Sequence, residues 1–346
     1  MEQKNFDPDG VGVDNGTYFG LPFAPETAEL VLISAPWDVT VSYGAGAAYA
    51  PDAIIEASTQ LDFHDPLAPG VWRRGIATAD VDYSLLESSQ RLRADAARVI
   101  DHLEGGGCLE DDYVVRKVRR VNEGCMSMNA NVGAQASRWL DAGKTVGLVG
   151  GDHSTPYGLI RALGARHAAF GILHVDAHCD LRDAYEGFEF SHASIMFNVL
   201  RDVPQVTKIA QVAVRDFSGT EAALAASCGR IATFDDLSLA AAMFRGETWD
   251  ALCRRIVDAL PQEVYVSFDI DGLTFENCPH TGTPVCGGLT FNQAVWLLDT
   301  LVRSGRRIIG FDVVEVAPAP EAKVDAITGA RVLWKLCNLT LKSNGR

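Results

Sequence analysis

Two short segments of the chain combine aspartate and histidine in patterns that suit metal binding. In the first, residues 149–154 read VGGDHS, and His153 follows two glycines that permit a tight turn. The second segment carries three ionisable side chains at alternate positions, so in an extended chain all three face the same way. These three are Asp176, His178 and Asp180. Without a cation, such a group beside an apolar run would be poorly solvated and self-repelling.

A third segment adds two carboxylates, Asp269 and Asp271, spaced two residues apart after another apolar run. Each segment alone has an ordinary interpretation, as a tight turn or a solvated loop. Together they offer two imidazoles and four carboxylates. Mixed histidine and aspartate ligation suits Mn, Ni, Fe or Zn, and the many oxygen ligands favour Mn or a related octahedral ion. Six ligands exceed the needs of one catalytic ion with an open position, so two ions sharing carboxylates fit better.

Strands and helices must bring these segments together. From about residue 28, short β-branched runs alternate with longer amphipathic segments, which predicts an α/β fold with a mainly parallel sheet. The predicted strands are 30–34, 145–149, 171–175, 208–214, 263–268 and 307–314. The predicted helices are 86–103, 114–142, 157–163, 237–260, 291–302 and 325–341. Because ligands bind at the carboxyl ends of parallel strands, the position of the three segments supports a functional site.

The chain of 346 residues shows no internal repeat, proline-rich linker or charge block. We therefore interpret residues 28–346 as one catalytic domain, preceded by an irregular segment, residues 1–27, rich in Gly, Asp and Pro. Surface packing is the favoured interpretation of this segment. The alternatives are a position over the active site or at a subunit contact.

Composition excludes several classes of function. A formal net charge of −15 argues against nucleic-acid binding, which requires clustered Lys and Arg. The N-terminus has no signal-peptide pattern, and no apolar run approaches the roughly 20 residues of a membrane helix. The eight cysteines lack CxxC spacing and are expected to be free thiols. These features predict a cytoplasmic protein with neither a nucleic-acid nor a membrane partner.

Further motifs stand in order around the three segments. They are SYGAG at 42–46 with Pro51, GTP at 282–284, GGLT at 287–290 and DVVEV at 312–316. With the three segments, this pattern resembles the ureohydrolase family, which contains arginases, agmatinases and guanidinobutyrases. The resemblance extends from about Ile33 to the C-terminus. It implies an arginase-like, three-layer αβα single domain that hydrolyses a guanidino C–N bond.

The resemblance also implies a set of metal ligands. Each subunit would hold two divalent metal ions, Mn²⁺ or Ni²⁺, with Asp176 and Asp269 bridging them. The remaining ligands would be His153 and Asp180 for one ion, and His178 and Asp271 for the other.

Four residues receive catalytic or substrate-binding roles from the same resemblance. Asp180 would pass the proton of the attacking water to the departing nitrogen, and His192 would relay protons and contact the substrate. Glu315 would bind the guanidinium through paired hydrogen bonds. Arg182 occupies the position where arginases have an asparagine that grips the α-carboxylate, which disfavours arginine and makes Arg182 a candidate for substrate binding.

The substrate is expected to be a small guanidino compound. Residues 10–20, GVGVDNGTYFG, are similar to a branch that hydrolyses free guanidine and small substituted guanidines or biguanides. The products would be urea or a urea-like compound, and ammonia or an amine. Agmatine and 4-guanidinobutyrate are the alternatives, because the sequence around His192 is similar to agmatinases. Two further alternatives are a formiminoglutamase and a supporting subunit of a hetero-oligomeric ureohydrolase.

The resemblance further implies a homo-oligomer, a trimer or a hexamer. We expect light scattering at micromolar concentration to give three or six times the chain mass of 37.3 kDa. A mass equal to that of one chain would contradict this expectation.

Overall fold

A computed structural model describes residues 6–319 and 321–345. The start of the N-terminal segment, residues 1–5, and the last residue of the catalytic domain, 346, lie outside the described residues. Eight strands form one sheet in the order β2-β1-β3-β8-β7-β4-β5-β6, and every neighbouring pair is parallel. The strands are β1 Leu30–Ala35, β2 Ile76–Thr78, β3 Thr145–Gly150, β4 Phe170–Val175, β5 Val206–Val212, β6 Ile231–Phe234, β7 Glu263–Asp269 and β8 Arg307–Val314. The predicted single α/β domain with a parallel sheet is confirmed.

Helices cover both faces of this sheet. In the described part of the chain they are α1 Ala50–Ser58, α2 Tyr83–Glu104, α3 Asp112–Asp141, α4 Tyr157–Gly164, α5 Ile195–Asp202, α6 Gly219–Ser227, α7 Asp236–Phe244, α8 Trp249–Asp258, α9 Phe291–Arg303 and α10 Val324–Asn344. One apolar core lies between the sheet and α1, α7, α8, α9 and α10, and a second between the sheet and α2 to α6. Strand β1 alternates between the two cores, with Leu30 and Leu32 in one and Val31 and Ile33 in the other.

The order of the strands decides where the site forms. The four central strands, β3, β8, β7 and β4, are neighbours in the sheet although they are distant in sequence. Their carboxyl ends lead to His153, Glu315, Asp269 and Asp176 respectively. Parallel pairing places these four ends on one edge of the sheet, so residues more than 150 positions apart in sequence meet there.

The structure contains several elements that the sequence analysis did not predict. These are the short strands β2 and β6 and the helices α1, α5 and α6. The predicted helix 237–260 is instead two helices, α7 and α8, separated by a turn in which Gly246 has φ 93°. The predicted strand 208–214 ends at Val212, because Ala213 adopts φ 73° and leaves the extended conformation.

The described part of the N-terminal segment contributes to the core. Tyr18 and Phe19 are buried in a short 3₁₀ turn. The Tyr18 hydroxyl lies 2.8 Å from Ser34 Oγ in β1, and the Phe19 ring packs edge-on against Trp334 of α10 with centroids 4.9 Å apart. This segment therefore packs on the α1 and α10 side of the sheet. It contributes buried side chains to the core, which goes beyond the surface packing favoured from the sequence.

We expect Phe19→Ala to lower the free energy of unfolding by about 3–5 kcal/mol, because it leaves a cavity against Trp334. Thermal or urea unfolding followed by circular dichroism measures this change. Val11→Ala in the same segment is the control, since Val11 is 94% exposed and its removal should change stability by less than about 0.5 kcal/mol. Equal stability of the two variants would show that Phe19 is not part of the folded core.

Candidate dinuclear metal site

The turn after β3 directs His153 toward the centre of the sheet edge. Gly151 is required there, because a Cβ on this residue would lie 1.7 Å from the Trp37 carbonyl oxygen. The next residue, Asp152, donates its backbone N–H to that same oxygen at 2.8 Å. The chain is therefore held tightly against Trp37 immediately before His153.

The two nitrogens of the His153 ring have different surroundings. Nε2 lies 2.9 Å from Ser267 Oγ, and Ser267 donates its hydroxyl to Asp312 at 2.9 Å. An Nε2–H donated to Ser267 leaves Nδ1 unprotonated and available as a ligand atom. Nδ1 faces three carboxylates, at 2.9 Å from Asp176, 2.9 Å from Asp180 and 3.2 Å from Asp269.

A second group of possible ligands adjoins the first. His178 Nδ1 lies 3.1 Å from Asp271 Oδ2 and 3.4 Å from Asp176 Oδ1. Asp176 thus turns one oxygen toward His153 and the other toward His178. The structure brings all six ligands named from the sequence into one cluster, and the position of Asp176 between the two groups suits a bridging ligand.

The cluster fits a pair of cations. Among the described residues, His153 Nδ1, Asp180 Oδ2 and Asp271 Oδ2 are buried and have no hydrogen-bond partner. Buried polar atoms are normally paired, and leaving one unpaired costs roughly 1–3 kcal/mol. Nitrogen and oxygen atoms that converge without hydrogen bonds are the ligands expected for divalent ions such as Mn²⁺, Ni²⁺ or Zn²⁺.

The electrostatics of the cluster lead to the same conclusion. Burial and the charge of Asp176 raise the pKa of Asp180 to about 6. Burial, with the charges of Asp271 and Asp176, also raises the pKa of Asp269. Although burial opposes it, the charge of Asp180 and the contacts of the carboxylates raise the pKa of His153. The site therefore favours added positive charge, which divalent ions would supply.

Asp180 owes its position to an unusual backbone conformation. Its φ is 53°, in the left-handed region. Its carbonyl oxygen accepts hydrogen bonds from the backbone N–H groups of Met196 and Phe197, both at 3.1 Å, at the start of α5. These bonds hold the kink that turns the Asp180 carboxylate back toward His153.

His192 lies beside the metal-ligand cluster at the N-terminal side of α5. Its backbone N–H donates to Thr40 Oγ1 at 3.1 Å. Burial and the neighbouring charge of His178 lower the pKa of His192 to about 3. The imidazole is therefore neutral at pH 7.

A cavity of about 410 Å³ opens over the cluster. Its lining includes four of the residues named from the sequence, namely His178, Asp180, Arg182 and His192. The Arg182 guanidinium stacks on the Tyr185 ring at 4.6 Å and its Nε lies 3.6 Å from Glu221. Arg182 is thus a wall residue whose charge already has partners.

Glu315 is buried and does not line this cavity. Its Oε1 accepts the backbone N–H of His153 at 2.7 Å. Its Oε2 is on the side of Gly282, where an added Cβ would lie 3.2 Å away. Gly282 directly precedes Thr283, which lines the cavity. Burial and the charge of Asp152 raise the pKa of Glu315.

Sequence reasoning gave no role to several residues that support the site. Ser267 and Asp312 hold the His153 ring, and they lie in the predicted strands 263–268 and 307–314. His174 is another such residue, because the structure places its Nε2 2.8 Å from Asp176 Oδ2, within the first group of possible ligands. Its place in a buried strand gave no signal of this contact.

Comparisons with known proteins agree with this geometry. Residues 28–338 match the model of the arginase family. The chain belongs to the arginase family. An N(1)-aminopropylagmatine ureohydrolase from Thermus thermophilus is 30% identical over 315 residues, which are 91% of each protein. An agmatinase from Serratia proteamaculans is 30% identical over 90% of this chain and 88% of its own length.

Solved structures of this family share the fold. Proclavaminate amidino hydrolase from Streptomyces clavuligerus superposes with a TM-score of 0.73 at 22% identity, covering 94% of this chain and 97% of that one. Agmatine ureohydrolase of Thermoplasma volcanium gives a TM-score of 0.67 at 21% identity, covering 93% and 92%.

Family membership confirms the enzyme class expected from the sequence. This arginase-family protein is a metal-dependent hydrolase of guanidino C–N bonds. It also confirms the resemblance to the agmatinase-like branch. No helix in the described part of the chain has the length and apolar character needed to cross a bilayer.

We expect elemental analysis of the active protein to find two divalent ions per chain. Asp269→Ala removes a carboxylate that faces His153 and should lower metal affinity and activity by about 100-fold or more. Asp216→Ala is the matched control, because Asp216 is an exposed aspartate of the same cavity that belongs to neither group of possible ligands and should leave both ions in place. Full activity in Asp269→Ala, or a single ion in the active wild type, would contradict a dinuclear site.

Proposed function

We propose that this ureohydrolase acts on a small guanidine-type substrate, a free or substituted guanidine or biguanide. It would release urea or a urea-like product together with ammonia or an amine. The observation that carries this proposal is the charge of the cavity wall. Arg182 is the only lysine or arginine among the described lining residues. Its guanidinium group already forms an ion pair with Glu221 and stacks on the Tyr185 ring. No free cation remains to grip the α-carboxylate of an amino acid, so arginine fits poorly.

The six clustered side chains would hold the metal ions. His153, Asp180 and one oxygen of Asp176 surround one position, and His178, Asp271 and the other oxygen of Asp176 surround the next. Asp269, near His153, would also help to hold the ions. The abundance of carboxylates favours Mn²⁺, with Ni²⁺ as the alternative. When bound, the ions would lower the pKa of a water molecule to near neutrality and neutralise negative charge that develops during hydrolysis.

The chain's own residues would orient the substrate and move protons. Asp180 has a pKa of about 6 before any ion binds, and its carboxylate would carry a proton from the attacking water to the departing nitrogen. His192, at the cavity wall, would relay other protons between the site and solvent and contact the substrate. Glu315 would orient the guanidinium through charge-assisted hydrogen bonds. Arg182 would shape the wall by its stacking on Tyr185.

Agmatine is a second candidate substrate. Asp216 lines the cavity, is exposed, and forms no ion pair with any described residue. Its carboxylate could attract the ammonium tail of agmatine, in line with the agmatinases among the relatives. The same charge would repel the carboxylate of 4-guanidinobutyrate or of formiminoglutamate. Urea release by the purified chain, without any other subunit, would show that it is an enzyme in its own right and not the supporting subunit of a hetero-oligomer.

Other properties complete the proposal. We propose a cytoplasmic homo-oligomer, trimeric or hexameric, with residues 28–346 as its catalytic domain and residues 1–27 as an added segment. The eight free cysteines are consistent with a reducing compartment. The family match begins at residue 28.

A substrate panel tests this proposal. The purified chain, loaded with Mn²⁺ or with Ni²⁺, would be assayed for urea and ammonia on guanidine, methylguanidine, agmatine, 4-guanidinobutyrate and arginine. We expect guanidine or methylguanidine to be the best substrate. Glu315→Gln should lower kcat/KM on the order of 10²-fold, because a small substrate makes few other contacts.

Asp216→Asn distinguishes the two candidate substrates. We expect it to leave kcat/KM for guanidine within a few-fold of wild type, and to lower that for agmatine if the ammonium tail binds there. Arginine as the best substrate, or a near-normal Glu315→Gln on every compound, would refute the proposed pocket.

A further inference from the structure

Arg215 makes an unusual set of contacts close to the site. Its side chain donates hydrogen bonds to five backbone carbonyl oxygens, and no carboxylate lies within ion-pair distance among the described residues. The acceptors are Ala213 at 3.0 Å, Asp271 at 2.7 Å, Leu273 at 3.2 Å, Val285 at 3.0 Å and Cys286 at 3.0 Å. The fixed fork of a guanidinium can address several oxygens at once, which a lysine ammonium does less well.

These acceptors belong to functional segments that are far apart in sequence. Asp271 and Leu273 lie in the turn after β7 that supplies a proposed metal ligand. Val285 is part of the cavity wall. A single side chain therefore ties the Asp271 turn to the wall that faces the substrate.

The backbone of Arg215 contacts the other ligand segment. Its N–H donates to the Ala177 carbonyl oxygen at 2.7 Å, between Asp176 and His178. The N–H of Ala177 in turn donates to Asp271 Oδ1 at 3.0 Å. Arg215 thus contacts both segments that meet at the His178 and Asp271 half of the metal site.

Two glycines give the guanidinium its space. Gly287 and Gly288 have φ of 99° and 96°, in the region that favours glycine. A Cβ on Gly288 would lie 2.9 Å from Arg215 Nη2 and 2.5 Å from the Leu273 carbonyl oxygen. A Cβ on Gly287 would lie 3.2 Å from Arg215 Cδ. The loop after the cavity wall can therefore close over Arg215 only because side chains are missing there.

We propose that Arg215 is a positioning residue that fixes the Asp271 turn and the Thr283–Val285 wall relative to each other. The inference rests on the proposed function of the site. Arg215 acts through the backbone of these segments and does not line the cavity. Without it, Asp271 would lose its fixed distance to His178, and the wall would lose its fixed distance to the substrate.

Arg230 provides a matched control. It also donates only to backbone carbonyl oxygens, at 2.7 Å to Leu200, 2.9 Å to Val203 and 2.8 Å to Val206 from its Nε. It has no carboxylate partner among the described residues and lies outside the cavity and the metal cluster. Arg230→Gln therefore reports the general effect of losing such an arginine.

The experiment compares wild type, Arg215→Gln, Arg215→Lys and Arg230→Gln as full-length chains. Metal-free protein would be titrated with Mn²⁺ while free Mn²⁺ is followed by electron paramagnetic resonance. For Arg215→Gln we expect one of the two sites to weaken by about 10- to 100-fold. We also expect a higher KM for guanidine at saturating Mn²⁺, with a smaller change in kcat. Arg230→Gln should keep the wild-type affinities and KM, whatever happens to its Tm.

Several results would overturn the proposal. It is wrong if Arg215→Gln folds and retains both Mn²⁺ affinities and KM, or if Arg230→Gln changes them equally. If circular dichroism shows that Arg215→Gln does not fold, Arg215→Lys replaces it in the test. Wild-type Mn²⁺ affinities and KM in Arg215→Lys would overturn the proposal, and a weakened Mn²⁺ site would support it. If the wild type had no activity on any guanidino compound, the proposed function would be refuted. The Mn²⁺ titration would still test whether Arg215 positions the metal site.

Discussion

The crowding of buried carboxylates around His153 is the constraint on which the rest of the site depends. Three aspartate oxygens lie within 3.2 Å of one imidazole nitrogen, in a region with little water. Carboxylates gathered around one nitrogen repel one another strongly where the dielectric is low. Only a rigid backbone can hold the carboxylates together before a cation binds. The raised pKa values of Asp180 and Asp269 show that their negative charge is unfavourable in this setting. A bound cation would relieve the repulsion between the carboxylates, and this relief would contribute to its binding affinity.

The parallel sheet supplies the rigidity. Ser267 of β7 and Asp312 of β8 are direct partners in the register of these neighbouring strands. Their side chains also bond to each other, and Ser267 meets His153 Nε2 at 2.9 Å. The orientation of the imidazole is therefore set by strand pairing, which a mobile loop could not achieve. The proton position and the orientation of the His153 ring follow from this contact.

Two of the proposed working residues lie in strained backbone. Asp180 and Glu315 have φ of 53° and 60°, a conformation that costs a non-glycine residue about 1–3 kcal/mol. Each is held by bonds to other segments, Asp180 through α5 and Glu315 through its N–H to the Gly151 carbonyl oxygen at 2.8 Å. In this conformation the Asp180 carboxylate lies 2.9 Å from His153 Nδ1, and the Glu315 carboxylate accepts the backbone N–H of His153 at 2.7 Å.

The sequence by itself determined the fold class and the enzyme family, and it named six side chains that the structure brings into one cluster, because strand ends rich in Asp and His carry a strong local pattern. It did not reveal β2, β6, α1, α5 or α6, because these segments are too short to carry a clear pattern and are stabilised by packing. The support of His153 by Ser267 and Asp312, and the bonds of Arg215 to three segments, were decided by the tertiary structure. Such contacts depend on strand order and on backbone carbonyls, which have no signature in residue type.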